Sequence, residues 1–248
     1  MSYDNKYYKV KDNDRSAELA IHVYPNTSDQ DKLATRHIEN LKKLCDQLID
    51  YDAIHVARIE RSDEHPNVSG VGIKDVLCNW IKKDGENNKN SVAGFHLLVT
   101  SPDYGGMAES YNIDNCNPDP GPSDNPEYFG WKVSANGVVG WRSYDTDYAE
   151  NWPLHEPGHS FLDMENENLQ DYVEQFPDKE VKNEHPDQEH SLGTRQTDGK
   201  ITIMGSGYPK AQKEWGACNH SESKSGHVKE LSHCALQSYL YSAKKSEN

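Results

Sequence analysis

The first hundred residues alternate between strand-like and helix-like patterns, and this alternation limits the chain to a sheet covered by helices. The segments 17–25 (AELAIHVYP), 53–61 (AIHVARIER) and 91–101 (SVAGFHLLVTS) are apolar or alternate in polarity, as strands do. Between them, 29–50 and 72–83 repeat apolar residues at helical spacing. Strands that alternate with helices typically pack as layers around one core. The expected fold class is therefore α/β (α+β).

The second half of the chain is more polar and less regular. Residues 102–130 are rich in Pro, Gly, Asn and Asp, which predicts a long loop. The segment WKVSANGVVGWRSY indicates a hairpin, or two short strands, about Asn136-Gly137. A very polar stretch covers 165–200, and a closing helix is predicted near 222–244.

The size and charge of the chain limit its organisation and its partners. Its 248 residues predict a single domain, 1–248, with an N-terminal lobe of about 1–164 and a C-terminal lobe of about 165–248. The net charge of -15 argues against a nucleic-acid or anionic-membrane partner. No apolar run reaches the roughly 18 residues of a membrane span. The first residues lack the apolar region of a signal peptide, so we expect an exported form to need a leader that this chain does not contain.

The cysteines fit disulfides better than a metal site. Cys45 lies on the apolar stripe of its predicted helix, which indicates a buried free thiol. Cys78 with Cys116, and Cys218 with Cys234, are the pairs that the sequence suggests. None of the five belongs to a Cys-x-x-Cys pair, so a thiolate zinc site is not expected.

Residues 155–163, HEPGHSFLD, contain the pattern His-Glu-x-x-His. On a helix, residues four apart project from the same face, so His155 and His159 would direct their imidazoles at one metal ion. Glu156 would then contact a water held by the metal and act as the general base. The carboxylate would pass the water's proton to the leaving amine. The pattern therefore predicts zinc-dependent hydrolysis of peptide bonds.

About 40 residues later the chain carries a methionine in a glycine-rich turn, TIMGSGYP. The two features together resemble the metzincin group of zinc metallopeptidases. The resemblance implies a zincin-like fold, with a twisted mixed sheet, an active-site helix and an irregular C-terminal subdomain that ends in a helix. It implies that Met204 forms a hydrophobic floor beneath the metal; the alternative is a core methionine in an ordinary turn. It also suggests that Tyr208 reaches the metal or the substrate oxyanion, but the longer spacing from Met204 favours a packed surface tyrosine.

The third metal ligand departs from the family's pattern. That pattern has glycine three residues after the second histidine and a histidine or aspartate six after it, where this chain has Leu162 and Glu165. Glu165 is an oxygen donor and is our candidate for the third ligand. Asp163 is the alternative, although on an unbroken helix it would lie about 6 Å beyond His159 along the axis. Three candidates come from later in the chain: Glu174, His185 and His190.

Pro157, inside the motif, constrains where the helix begins. Proline is tolerated in the first turn of a helix, where its missing N–H costs little. The helix is therefore expected to start near Asn151 or Trp152, with Asn151 as its N-cap. His155 would then lie within about one turn of the positive end of the helix dipole, which disfavours its protonated form.

The resemblance also suggests where a substrate would bind. In metzincin-like folds an edge strand in this part of the chain pairs with the substrate backbone, which places the subsites along 95–101; an ordinary sheet strand is the alternative. The Asp- and Asn-rich loop 112–127 has the composition of a calcium site. It lacks EF-hand spacing, however, which favours a solvated loop.

We therefore expect one secreted metallopeptidase domain with Zn²⁺ as its cofactor and a protein or peptide as its substrate. An endopeptidase is the main prediction, with an aminopeptidase or another amidase as alternatives. A second class is a non-catalytic zincin-fold binding or toxin-like module, for which Pro157 and Leu162 are the support. A metal-independent protein with a chance motif is the third hypothesis.

Overall fold

A computed structural model of the chain describes residues 6–84, 93–100, 106–109, 134–140, 146–162, 200–205 and 226–247. The strands are β1 (Lys6–Val10), β2 (Glu18–Pro25), β3 (Val56–Arg61), β4 (Gly94–Thr100), β5 (Gly106–Glu109), β6 (Ser134–Gly140), β7 (Lys200–Ile201) and β8 (Gly226–His227). The helices are α1 (Asp31–Asp50), α2 (Ile73–Asp84), α3 (Thr146–Phe161) and α4 (His233–Glu247). The α/β fold class predicted from the sequence is confirmed at this level.

Strands β1 to β6 form one mixed sheet in the order β1-β3-β2-β4-β6-β5. The four inner strands are parallel, whereas β1 and β5 run antiparallel at the two edges. Strand β4 lies inside the sheet because it pairs with β2 on one side and β6 on the other. The prediction that 95–101 offers an open edge to a substrate is therefore wrong. Within the described residues, β5 is the edge strand on that side of the sheet.

The two faces of the sheet are covered by different helices. Successive strand residues point to opposite faces, and Leu19, Ile21 and Val23 of β2 join the larger core with residues of α1, α3 and α4. Tyr24 packs instead with the apolar side of α2. Helices α1 and α3 therefore share one face of the sheet, and α2 covers the other.

The sequence predicted the early elements correctly and two later ones incorrectly. The strands and helices expected within 17–101 are all present. The hairpin about Asn136-Gly137 is wrong: residues 134–140 form one continuous strand, because each edge of β6 is paired along the strand. The long loop expected over 102–130 contains a strand, β5.

The closing helix begins later than its composition suggests. It starts at His233 rather than near 222, and the Ala235 amide donates to Ser232 Oγ at 3.0 Å, as at a capped helix start. Gly226 and His227 pair with β7 instead of joining the helix. None of the helices in the described ranges is long and apolar enough to span a membrane.

The cysteines of the described residues agree with the predicted pattern. Cys45 is a buried free thiol, as expected. Cys78 and Cys234 are both disulfide-bonded. Cys116 and Cys218, the partners that the sequence suggests, lie outside the described residues, so the pairing remains a prediction.

Candidate active site

The His-Glu-x-x-His motif lies in the second half of α3, a helix buried along nearly all of its described side chains. Trp152, Leu154 and Phe161 pack into the larger core. The helix begins at Thr146, so the predicted start near Asn151, the capping role of Asn151 and the position of His155 in the first turn are all wrong.

The helix start predicted from Pro157 was wrong because α3 accommodates both Pro153 and Pro157 in its interior. Each removes one backbone donor from the helix. Burial of the apolar residues around them outweighs this cost. The helical pattern extends slightly past the motif, since the Leu162 amide donates to the Gly158 carbonyl at 3.0 Å.

The two histidines of the motif converge as predicted. Their Nε2 atoms lie 3.0 Å apart, with ring planes inclined at 72°. His155 Nδ1 lies 3.1 Å from the Ile203 carbonyl oxygen, which can only accept a hydrogen bond. The proton of a neutral His155 ring is therefore on Nδ1, which leaves the Nε2 lone pair directed at His159. A carbonyl that fixes the tautomer of a histidine in this way is a common feature of metal sites.

Burial sets the charge states of the motif. It raises the pKa of Glu156 to about 8 and lowers the pKa of His159 to about 4. Removal from water disfavours the charged form in both cases. His159 is therefore neutral near pH 7, and neutral imidazole is the form that binds metals.

Met204 lies directly beneath the motif. It is fully buried in a single 3-10 turn, Ile203–Gly205. A Cβ built on Gly158 would lie 2.5 Å from Met204 Sδ and 2.7 Å from its Cε. Only glycine at this position lets the thioether approach the helix so closely. The methionine turn and the motif helix are thus in direct contact.

The histidine pair fits two positions of a zinc site. Two nitrogens bound to tetrahedral zinc at roughly 2.0–2.1 Å lie about 3.3 Å from each other, close to the separation observed. Among the described residues, no third Cys, His, Asp or Glu completes a metal-binding group. Glu165, Asp163 and the later candidates lie outside the described residues, as do Tyr208 and loop 112–127, so their roles remain predictions.

The sequence did not indicate an ionic cluster that holds α3 from outside. Glu150 is buried and forms close ion pairs with Arg36 of α1 and with Lys229. Asn151, one residue on, donates to the Val228 carbonyl at 3.2 Å. No local pattern marks these residues, because their partners are 77 or more positions away.

No protein-family model matches the chain, and no curated protein is significantly similar to it. Its function is therefore inferred from the site and from the chemistry of its residues.

Proposed function

We propose that the chain is a zinc-dependent endopeptidase in which His155 and His159 are two of the metal ligands. The observation that carries the proposal is the 3.0 Å separation of their Nε2 atoms, with the His155 tautomer set by the Ile203 carbonyl. The buried Met204 against Gly158 supports it, since the resemblance to metzincins implies a methionine in this place. The mixed sheet, the motif helix and the closing helix α4 agree with the zincin outline.

Each residue of the motif then has a role. His155 and His159 hold the zinc ion, and an acidic residue, Glu165 or Asp163, completes the set. Zinc would supply Lewis acidity, which polarises the scissile carbonyl and acidifies a water. Glu156 accepts the proton of the attacking water and returns it to the leaving amine. Because burial favours the neutral carboxyl group in the metal-free protein, a nearby positive charge is needed to keep Glu156 ionised as a base.

The substrate backbone is proposed to pair with β5 rather than with β4. Strand β5 is the sheet edge next to β6, and its neighbours in the fold include α3, which carries the motif. An extended peptide that adds to this edge gains main-chain hydrogen bonds. This edge is therefore the proposed place at which the substrate backbone passes the helix that carries the motif.

The proposed location is extracellular or another oxidising compartment. The disulfide bonds of Cys78 and Cys234 support it, because such bonds persist mainly outside the reducing cytosol. Mass spectrometry of the protein alkylated with and without prior reduction tests this. If all five thiols of protein isolated from its natural source react after unfolding without prior reduction, the proposed compartment is wrong.

The test of the function is cleavage of casein by the zinc-loaded protein and by its Glu156→Gln variant. A general base typically contributes ~10²–10⁴-fold, so at least a hundredfold loss is expected. Glu64→Gln, at an exposed glutamate, is the matched control and should keep full activity. Equal cleavage by the parent and Glu156→Gln would refute the mechanism. A parent that binds zinc but cleaves neither casein nor a peptide library would favour the non-catalytic binding module.

A further inference from the structure

Helix α3 cannot hold His155 in place by its own hydrogen bonds alone. Pro153 and Pro157 lie two residues to either side of His155, and neither has an N–H to donate. The helical bonds that would normally be accepted by the carbonyls of residues 149 and 153 are therefore missing. Because backbone hydrogen bonds are missing on both sides of His155, contacts with neighbouring parts of the fold contribute more to its position.

The support comes from the backbone of Ile203, the first residue of the methionine turn. The Ile203 carbonyl lies 3.1 Å from His155 Nδ1, and the Ile203 amide donates to the Glu230 carbonyl at 2.9 Å. Ile203 thus lies between the histidine and the segment Val228–Leu231, which we call the 228–231 segment. Any shift of this segment is transmitted to the carbonyl that orients the imidazole.

Gln47 holds the 228–231 segment on both sides of Glu230. Its side-chain Nε2 donates to the Lys229 carbonyl at 3.1 Å, and its Oε1 accepts from the Leu231 amide at 2.8 Å. One amide group thereby satisfies a backbone acceptor and a backbone donor two residues apart, so it fixes the orientation of the peptide between them. Gln47 belongs to α1, a long helix whose apolar side is packed into the larger core. The position of the Gln47 backbone is therefore fixed by this packing.

We propose that Gln47 is a positioning residue for the zinc ligand His155, acting through Glu230 and Ile203. The inference rests on the proposed function, in which His155 binds zinc. Partners beyond the direct ligands usually contribute 10–100-fold to metal affinity. Because Gln47 acts through two intervening peptides, we expect its loss to weaken zinc binding by about tenfold, the lower end of that range.

The experiment compares three variants with the parent. Gln47→Met keeps the length of the side chain but removes its two hydrogen bonds to the 228–231 segment, together with a third to the Lys43 carbonyl in the preceding turn of α1. Gln47→Glu keeps the acceptor for the Leu231 amide but loses the donor to the Lys43 and Lys229 carbonyls. Gln237→Met is the matched control: Gln237 is also partly buried, and its side-chain amide donates to the Tyr51 hydroxyl, at the end of α1, rather than to the 228–231 segment. Zinc affinity is measured by competition with a chromophoric chelator. Two-bond ¹H–¹⁵N spectra of the metal-free protein report the His155 tautomer, with His155→Gln assigning the signal.

Gln47→Met should bind zinc about tenfold more weakly than the parent and should lose the pure Nδ1–H form of His155. Gln47→Glu should fall between it and the parent, and Gln237→Met should match the parent in both readouts. Unchanged affinity and tautomer in Gln47→Met would overturn the assignment, as would an equal loss in Gln237→Met. If the parent binds no zinc, the proposed function fails. The tautomer then decides by itself whether Gln47 orients His155.

Discussion

His37 gives a quantitative prediction of how the stability of the fold depends on pH. The residue lies on α1 and is 1% exposed, and neither of its ring nitrogens has a hydrogen-bond partner within the described residues. Burial, with a smaller effect from the charge of Arg36, lowers the pKa of His37 from 6.5 to about 3. The folded protein therefore keeps this ring neutral under conditions in which the unfolded chain binds a proton.

The sign and size of the effect follow from this difference. The neutral ring contributes its full stability above about pH 6.5, and that contribution is lost as the pH falls towards 3. One proton taken up only by the unfolded chain changes the free energy of unfolding by about 1.4 kcal/mol per pH unit. Between pH 8 and pH 5 the loss due to His37 is therefore roughly 2 kcal/mol.

Urea unfolding of the parent and of His37→Leu at pH 8, 6.5 and 5 tests this prediction. The variant should be at least as stable as the parent at pH 5, since it replaces two unsatisfied buried nitrogens by apolar atoms. Its stability should fall by about 2 kcal/mol less than that of the parent over this range. Asn40→Leu, at a buried position of α1 that cannot titrate, should retain the slope of the parent. Parallel curves for the parent and His37→Leu would refute the reasoning.

Three further changes test the packing around the motif helix and the chain end. Gly158→Ala should lower the free energy of unfolding by about 0.5–2 kcal/mol, because the overlap of the new methyl group with the buried Met204 thioether costs more than the ~0.5–1 kcal/mol that alanine gains over glycine inside a helix; a neutral or stabilising effect in thermal melts would show that the Met204 side chain moves aside. Glu150→Gln should cost about 2–3 kcal/mol in urea unfolding, because it removes the buried carboxylate that pairs with both Arg36 and Lys229; a cost below about 0.5 kcal/mol would mean that the pairs behave as exposed ones. Glu247→Ala should cost about 1–2 kcal/mol by the same assay, since it removes the carboxylate that accepts from the Ser16 and Ala17 amides just before β2 and pairs with Arg15; unchanged stability would mean that the closing helix is held by its apolar face alone.

The sequence was a good guide where structure depends on neighbouring residues. The strands and helices of residues 17–101 follow from apolar periodicity, which acts over a few residues. The convergence of His155 and His159 follows from helix geometry alone, so it could be predicted from their spacing. The buried free thiol of Cys45 follows from its place on the apolar stripe of α1.

The sequence was a poor guide where distant segments decide the outcome. Asn136-Gly137 has the composition of a turn, but pairing with β4 and β5 keeps it extended. Pro157 normally marks a first turn, but packing holds it inside α3. The carbonyl of Ile203 and the amide of Gln47 carry no recognisable pattern, because a backbone acceptor is the same in every residue and a glutamine has many uses.

The most direct test of the zinc site is anomalous diffraction at the zinc absorption edge from a crystal of the zinc-loaded protein. We expect one strong peak roughly 2.0–2.1 Å from Nε2 of both His155 and His159, with the carboxylate of Glu165 or Asp163 on the same ion. A peak bound elsewhere, or its absence at saturating zinc, would contradict the assignment of the motif as a metal site.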